Sequence, residues 1–498
     1  MIYNFFNWNW RELICKRILI SVFIALCAIY LFASRTEEIH SLQPGNEINQ
    51  SANENILFIG ITSSPYNFLQ RHSVRSTWLS KLPNLFHYRF LVGRKMCAEH
   101  PEDRISEFDC EKWKLNIPNN VSETTLFHAN KLNLNEGDEE TEVGIGFVFY
   151  INHPIVIKYL GIKKNSVVEG LARVVLMDLT SSTKIASVTF SSDSFSTDHN
   201  NEGYIYKKLK YPVILPRGFE GSVRVEEMIG AKEQLNYEES VVWSHGNLLK
   251  ILGIIRNNST KKMKISNVLS TFAFTIRDLD QLRSHEDGTQ RRADEWSLYT
   301  DQVYNQLQQE VSQYNDILLL DMVDVYRNLP QKVLLFIEWV YKHHNVKYIL
   351  KTDDDTFIDI PTVKAELNKH THWDWWSCFR VGWPVHRRGK WRETVYQREV
   401  YPPFPSGAGY VLSRRALTWL NTRIETLSTS YQGEDVALGI WLEAMNASRH
   451  VGEACYWACN EKCHSNTCNA MQLTVEEMYQ IWSDYKECGD KIFRCPNN

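Results

Sequence analysis

Neither sign dominates the charge of this chain: 55 Lys and Arg stand against 59 Asp and Glu, a net of −4 over 498 residues. The composition encodes no general basic surface, so nucleic acid is set aside as a partner. The sequence also lacks internal repeats, and after residue 55 it has no low-complexity tract, which excludes a repeat array. Long apolar runs are equally scarce. What is present is 43% apolar and 12% aromatic residues, enough for the cores of two or three domains.

The single long apolar run lies at residues 18–33, roughly sixteen residues or about 24 Å as a helix. Leu13, Ile14 and Cys15 extend it past Lys16 and Arg17, whose long side chains reach the interface. Arg11, Lys16 and Arg17 precede the run, while Arg35, Glu37 and Glu38 follow it, a bias that favours a cytoplasmic N-terminus and a lumenal body. No small-x-small cleavage site follows closely, so an uncleaved signal-anchor transmembrane helix is expected rather than a signal peptide. Sequons at Asn49, Asn120, Asn257, Asn258 and Asn446 agree with lumenal N-glycosylation. Of eleven cysteines, Cys15 and Cys27 fall in or beside the run, leaving nine in an oxidising lumen. Nine is odd, so one thiol is expected free or paired elsewhere.

The expected organisation is a cytoplasmic tail (1–17), the anchor (18–33), a polar stem (34–55), a first α/β segment (56–118), an inserted β-rich module (119–270), a second α/β segment of the same domain (271–450) and a Cys-rich end (451–498). Residues 56–61 and 87–92 read as buried strands around a helix at 71–82, a βαβ alternation that predicts a parallel sheet. Between 142 and 250, short β-branched runs separated by polar turns predict an all-β sandwich. The α/β signal resumes at residues 314–321, with a helix at 333–342 and a strand at 346–350.

The sharpest chemical signal follows that last strand: Lys351, then Asp353, Asp354 and Asp355. Strand ends are where open α/β sheets bind ligands. Carboxylates two apart on extended chain face one side, so Asp353 and Asp355 suit one hard cation and its bridging diphosphate. The competing reading is a solvated acidic turn. A second pair, Glu434 and Asp435, opens a helix with Val436, Ile440 and Trp441 inward. Acidic residues suit any helix start, yet beside a metal-diphosphate site one of them is a natural general base.

In these motifs the chain resembles glycosyltransferase family 31, the β1,3-glycosyltransferases. The likeness rests on Arg71, Arg75, Thr77 and Trp78; on Gly93, Asp316, Asp321 and Asp324; on Asp353 to Asp355; on Gly407, Gly409, Tyr410 and Ser413; and on Glu434, Asp435 and Val436. The resemblance implies a GT-A nucleotide-sugar-binding fold with the β-rich module inserted, and an inverting reaction. The insert, absent from most members, together with residues 153–161 and 214–221, is similar to the subgroup that transfers N-acetylgalactosamine (GalNAc). Carried over, that means a UDP-GalNAc donor, attack by the 3-hydroxyl of a terminal N-acetylglucosamine (GlcNAc) on a glycoprotein O-glycan, and Mn²⁺ or another divalent cation. Asp353, Asp354 and Asp355 are then expected to bind UDP and the cation, with Asp353 and Asp355 as metal ligands. Asp435 is the expected base, with Glu434 the alternative. Arg71, Arg75 and Lys351 are expected to assist the diphosphate, although Arg71 and Arg75, one helical turn apart, also suit a brace.

Ser406 stands where many relatives carry cysteine, which makes Cys378 the candidate free thiol. Neither His450 nor His464 matches the metal-binding histidine of some relatives. The cluster Cys455, Cys459, Cys463, His464 and Cys468 lacks paired CxxC spacing, so disulfides are favoured over zinc; Cys97 with Cys110 and Cys488 with Cys495 are expected local bridges. Trp373, Trp375, Trp376, Trp383 and Trp391 are core or acceptor-stacking candidates, with Trp383 and Trp391 preferred for the acceptor. The motifs hold nucleotide and metal without reading the donor's 2- and 4-substituents, so a β1,3-galactosyl- or N-acetylglucosaminyltransferase is the nearest alternative. A non-catalytic glycan-binding protein is the more distant one. The expected location is the endoplasmic reticulum or Golgi membrane.

Overall fold

A computed structural model describes residues 55–487, apart from 130–140, 165–170, 192–198, 202, 227–232, 237–241, 245, 258–263, 370–371, 388, 453–454 and 459–466. The described residues gather into one compact unit. The expected anchor and stem, Asn49, Asn258 and the pairing of Cys488 with Cys495 lie outside the described residues. Among those described, no helix is long and apolar enough to cross a membrane.

The central sheet has seven strands: β1 (Asn55–Thr62), β2 (Phe86–Lys95), β3 (Ile317–Val323), β4 (Val346–Asp353), β5 (Trp375–Arg380), β6 (Phe404–Ser413) and β7 (Arg449–His450), in the order β3-β2-β1-β4-β6-β5-β7. From β3 to β4 all neighbours are parallel. The strand β6 runs antiparallel to both β4 and β5. Alternation along β1 explains its central place: Leu57, Ile59 and Ile61 enter one core while Phe58 enters the core on the opposite face.

Among the described residues eight α-helices accompany the sheet: α1 (Phe68–Ser76), α2 (Leu279–Asp287), α3 (Thr289–Tyr314), α4 (Leu329–His343), α5 (Ile360–Lys369), α6 (Arg414–Asn421), α7 (Glu434–Glu443) and α8 (Val475–Glu487). The 26-residue α3 has no counterpart in the sequence reading. Only Val303, Leu307 and Glu310 of it are buried, so its apolar periodicity is too thin to read. The C-terminal stretch does not stand apart, because Met478, Trp482 and Tyr485 of α8 share a core with Leu57 and Phe90.

Residues 127–276 build two further large sheets, of five and seven strands, with antiparallel neighbours throughout. They close on one another over a common core, where Phe272 of the five-stranded sheet meets Phe149 of the seven-stranded one at 4.9 Å between ring centroids. That core also takes in Trp113 at one end and Ile276, Leu279 and Leu282 at the other, beyond the expected limits of 119 and 270 on both sides.

Candidate active site

Thr62 at the end of β1 pairs in register with Asp353 at the end of β4, so both strands leave the sheet at one edge. Just inside it lies Lys351, 1% exposed. Its ammonium donates to Asp353 Oδ1 at 2.7 Å, to the Gly407 carbonyl at 2.7 Å and to Glu434 Oε1 at 2.6 Å. Burial alone would lower its pKa, but the Asp353 and Glu434 carboxylates outweigh burial and hold it well above the usual range. One buried cation thus ties β4, β6 and α7 together.

The three consecutive carboxylates have different surroundings. Asp353 accepts from Lys351 and from the Thr62 hydroxyl, and its side chain is one-third exposed. Asp354 is buried; it accepts from Asn67 Nδ2 at 3.0 Å, and burial pushes its pKa up to about 6 against the pull of Ser63 and Asn67. Its backbone N–H donates to the Thr62 carbonyl, so Asp354 pins the loop after β1. Asp355 is partly accessible, and burial followed by the neighbouring Asp353 charge raises its pKa. Asp353 and Asp355 therefore form a partly open acidic pair.

The helix α7 brings in the second acidic pair. Gly439 makes this approach possible, since a Cβ there would stand 2.6 Å from the Phe404 Cβ on β6. As expected, Val436 and Trp441 are buried, whereas Ile440 is only partly so; Ala437, Leu438 and Leu442 supply the rest of the buried surface. Glu434 is 6% exposed and paired with Lys351. Asp435 is partly accessible. Its Oδ1 accepts the Val436 N–H at 2.8 Å, and burial, reinforced by the Glu434 charge, raises its pKa to about 7. The helix start would favour the ionised form, yet desolvation wins.

Arg71, Arg75 and Lys351, expected beside the diphosphate, are each engaged by protein groups. Arg71 is fully buried and spends its guanidinium on Glu310, Ser63 and the Ser64 carbonyl. Arg75 holds Glu310 at 2.7 Å and Asp316 at 2.7 Å. Both fasten α1 to α3, so the bracing alternative is the one realised; Lys351 is likewise consumed by the pairs described above.

Trp373, Trp375 and Trp376 are core residues. The half-exposed Trp391 hydrogen-bonds Tyr326, whose pKa is pushed up by burial and by the Glu434 and Asp435 charges. Trp383 donates to His386 at 3.1 Å and packs on the cluster of Tyr396, Tyr401, Phe404 and Val436. Tyr326 belongs to the family motif that runs on from Asp324 but had no assigned role, and Glu393 carried no sequence signal; Glu393 is 1% exposed and caps Val395, Tyr396 and Gln432 from one carboxylate. Two expectations on cysteine hold, with disulfides Cys97–Cys110 and Cys455–Cys468. Cys378 is disulfide-bonded rather than a free thiol. Cys459, Cys463 and His464 lie outside the described residues. Asn120 and Asn446 are exposed; the side chain of Asn257 is outside what is described.

A galactosyltransferase family model matches residues 298–453, a span holding both acidic pairs. UDP-GalNAc:beta-1,3-N-acetylgalactosaminyltransferase 2 of Xenopus tropicalis is 30% identical over 454 residues, covering 87% of this chain and 90% of that protein. The Homo sapiens protein of the same name is 30% identical, with 88% and 89% covered. Beta-1,3-galactosyltransferase 6 of Mus musculus is 33% identical over a shorter stretch, 29% of this chain and 46% of that protein. With near-full-length identity to the first two and a family model over the site, the chain belongs to the galactosyltransferase family of β1,3-glycosyltransferases, glycosyltransferase family 31.

Proposed function

We propose that the chain is an inverting β1,3-N-acetylgalactosaminyltransferase, moving GalNAc from UDP-GalNAc to the 3-hydroxyl of a terminal GlcNAc on a glycoprotein O-glycan. The relatives that carry that activity in their names align across the β-rich segment as well as the site, whereas the beta-1,3-galactosyltransferases 6 and 1 of Mus musculus match only 29% and 39% of the chain. The mixed sheet order supports a GT-A fold, and the separate core of Phe149 and Phe272 supports an inserted β module.

The observation that carries the reading is Lys351, which joins the Asp353 carboxylate to the helix bearing Asp435. The donor-side carboxylates and the acidic pair are thereby parts of one site. Hard carboxylate oxygens at Asp353 and Asp355, with Asp355 raised by burial and then by the charge of Asp353, fit a hard divalent cation, which the two side chains would hold together with the diphosphate. Bound there, Mn²⁺ would screen the charge on UDP. Asp435 takes the proton of the acceptor 3-hydroxyl as its oxygen bonds to C1 of the sugar; the C1–O bond to UDP breaks with its electron pair, inverting C1. A carboxylate titrating at about 7 is matched to that task. Glu434, neutralised by Lys351, keeps the helix in place.

The apolar run at 18–33 supports a type II anchor in the endoplasmic reticulum or Golgi membrane, and exposed Asn120 and Asn446 with the disulfides support a lumenal catalytic body. A donor panel of UDP-GalNAc, UDP-galactose and UDP-GlcNAc against a β-linked GlcNAc glycoside, with product linkage read by NMR, tests the function. A β1,3-GalNAc product from UDP-GalNAc supports it; preferential transfer of another sugar overturns it.

A further inference from the structure

Beside the acidic pair, a cavity of about 630 Å³ opens between the β-rich sheets and the catalytic sheet. One side comes from residues 327–328, 389–390, 392, 394 and 429–432, another from Tyr150, Thr180, Glu220, Lys250 and Leu252, and a third from the segment 105–111. Its volume falls within the roughly 300–1,000 Å³ usual for small-molecule sites. Gln432 lines it three residues before Asp435. Lys390, also in the lining, stacks 4.6 Å from the ring centroid of Tyr326, which feels the charges of Glu434 and Asp435.

The walls are fixed to each other. Glu220, from the seven-stranded sheet, accepts the Gly389 N–H through both oxygens at 3.2 and 3.1 Å. Gly389 adopts φ +67°, a conformation that favours glycine, at the tip of the loop carrying Lys390 and Trp391. Arg327 reaches the Arg392 carbonyl at 2.9 Å, and its own N–H donates to the Phe108 carbonyl at 3.1 Å.

The lining selects a class of ligand. Its four carboxylates, Glu107, Asp109, Glu111 and Glu220, are matched by an equal number of Lys and Arg side chains, so no excess of either charge attracts an anion or a basic peptide. Aromatic rings of Phe108, Tyr150 and Tyr431 stand among these polar groups, the mixture that recognises a sugar's apolar faces and hydroxyls together. Gln432, 7% exposed, lines the cavity, and among the described residues its buried Oε1 has no hydrogen-bond partner. A turn of that amide toward the cavity would offer the oxygen to a ligand hydroxyl.

We propose that this cavity is a second sugar subsite: it takes the neutral hexose to which the attacked GlcNAc is joined, so the acceptor is read as at least a disaccharide and the β-rich sheets supply half of the reading surface. The proposal rests on the transferase reading above.

The test compares kcat/KM for a GlcNAc glycoside and for GlcNAc β-linked to a second hexose, using the full-length chain, its Tyr150→Ala variant and its Thr180→Trp variant, which fills the cavity from an exposed turn. UDP affinity is the check on folding. The native chain should prefer the disaccharide roughly tenfold or more, through KM, and both variants should bring the ratio close to one with UDP affinity kept. No preference in the native chain, or an undiminished preference in the folded variants, overturns the proposal. So does a preference that appears only when the second residue is replaced by a peptide. Saturation-transfer NMR with the disaccharide and UDP separates the two readings: disaccharide binding lost in Thr180→Trp, without sugar transfer by any variant, upholds the subsite and removes the transferase assignment.

Discussion

Lys351 Nζ lies 2.6 Å from Glu434 Oε1, with the two side chains 1% and 8% exposed. Because the same ammonium also holds Asp353, the charge of Glu434 is spent on the fold. Removing one member of such a buried pair leaves the other uncompensated, which costs more than the pair contributes. Asp435, next in sequence, accepts the Val436 N–H instead, and burial with the Glu434 charge raises its proton affinity. Adjacent carboxylates on one helical turn are thereby given different chemistry.

Asp355→Ala should abolish Mn²⁺-dependent UDP binding without lowering the thermal midpoint. Its carboxylate is held above its ordinary pKa by burial and by Asp353, so its removal relieves an unfavourable charge. Calorimetric titration of UDP with and without Mn²⁺ reads the effect. Unchanged affinity would remove Asp355 from the cation site.

Arg71→Met should destabilise the protein by about 3–5 kcal/mol, since Glu310 would lose its bidentate partner inside the fold. Arg75 still contacts Glu310 at 2.7 Å, which favours the lower end of that range. Chemical denaturation reads stability, and UDP affinity of the folded fraction should be unaltered. A fall in UDP affinity at unchanged stability would restore the diphosphate role.

The parallel strands and the Asp353–Asp355 site were legible because buried strands are continuous apolar runs and because carboxylates at a strand end are a local pattern. The same is true of Glu434 and Asp435 at a helix start. What was not legible is convergence. Arg71 and Arg75 carry a motif that suits either a phosphate clamp or a brace, and only the position of Glu310, more than two hundred residues away, decides between them. The contact of Glu220 with Gly389 joins segments with no shared periodicity. The limits of the β module were drawn too narrow because Trp113 and Ile276 look like residues of any core.

The pH dependence follows from Asp435, whose folded pKa of about 7 lies above its ordinary 3.8. As a base it works ionised, so kcat should rise with pH and level off above about 7. Stability runs the opposite way. A raised carboxylate pKa means that the folded state binds the proton more tightly, so this group's contribution is lost as pH rises from about 4 to about 7. In Asp435→Asn that part of the decline should be absent, and the variant should be more stable than the native chain at pH 7.5. Parallel pH-dependent melts of the two proteins check this; superimposable slopes would contradict it.

The most direct measurement is single-turnover transfer by Asp435→Asn and Glu434→Gln, side by side, at saturating UDP-GalNAc and Mn²⁺. An amide at 435 keeps shape and hydrogen bonding but accepts no proton, so the rate should fall by roughly 10²–10⁴-fold with donor affinity kept. Glu434→Gln should show the reverse balance: a marked loss of thermal stability, because Lys351 loses one of its two anionic partners, and a much smaller loss of rate in the folded protein. A dead Glu434→Gln beside an active Asp435→Asn, each with a native melting profile, would contradict the division of roles drawn from the Lys351 ion pair.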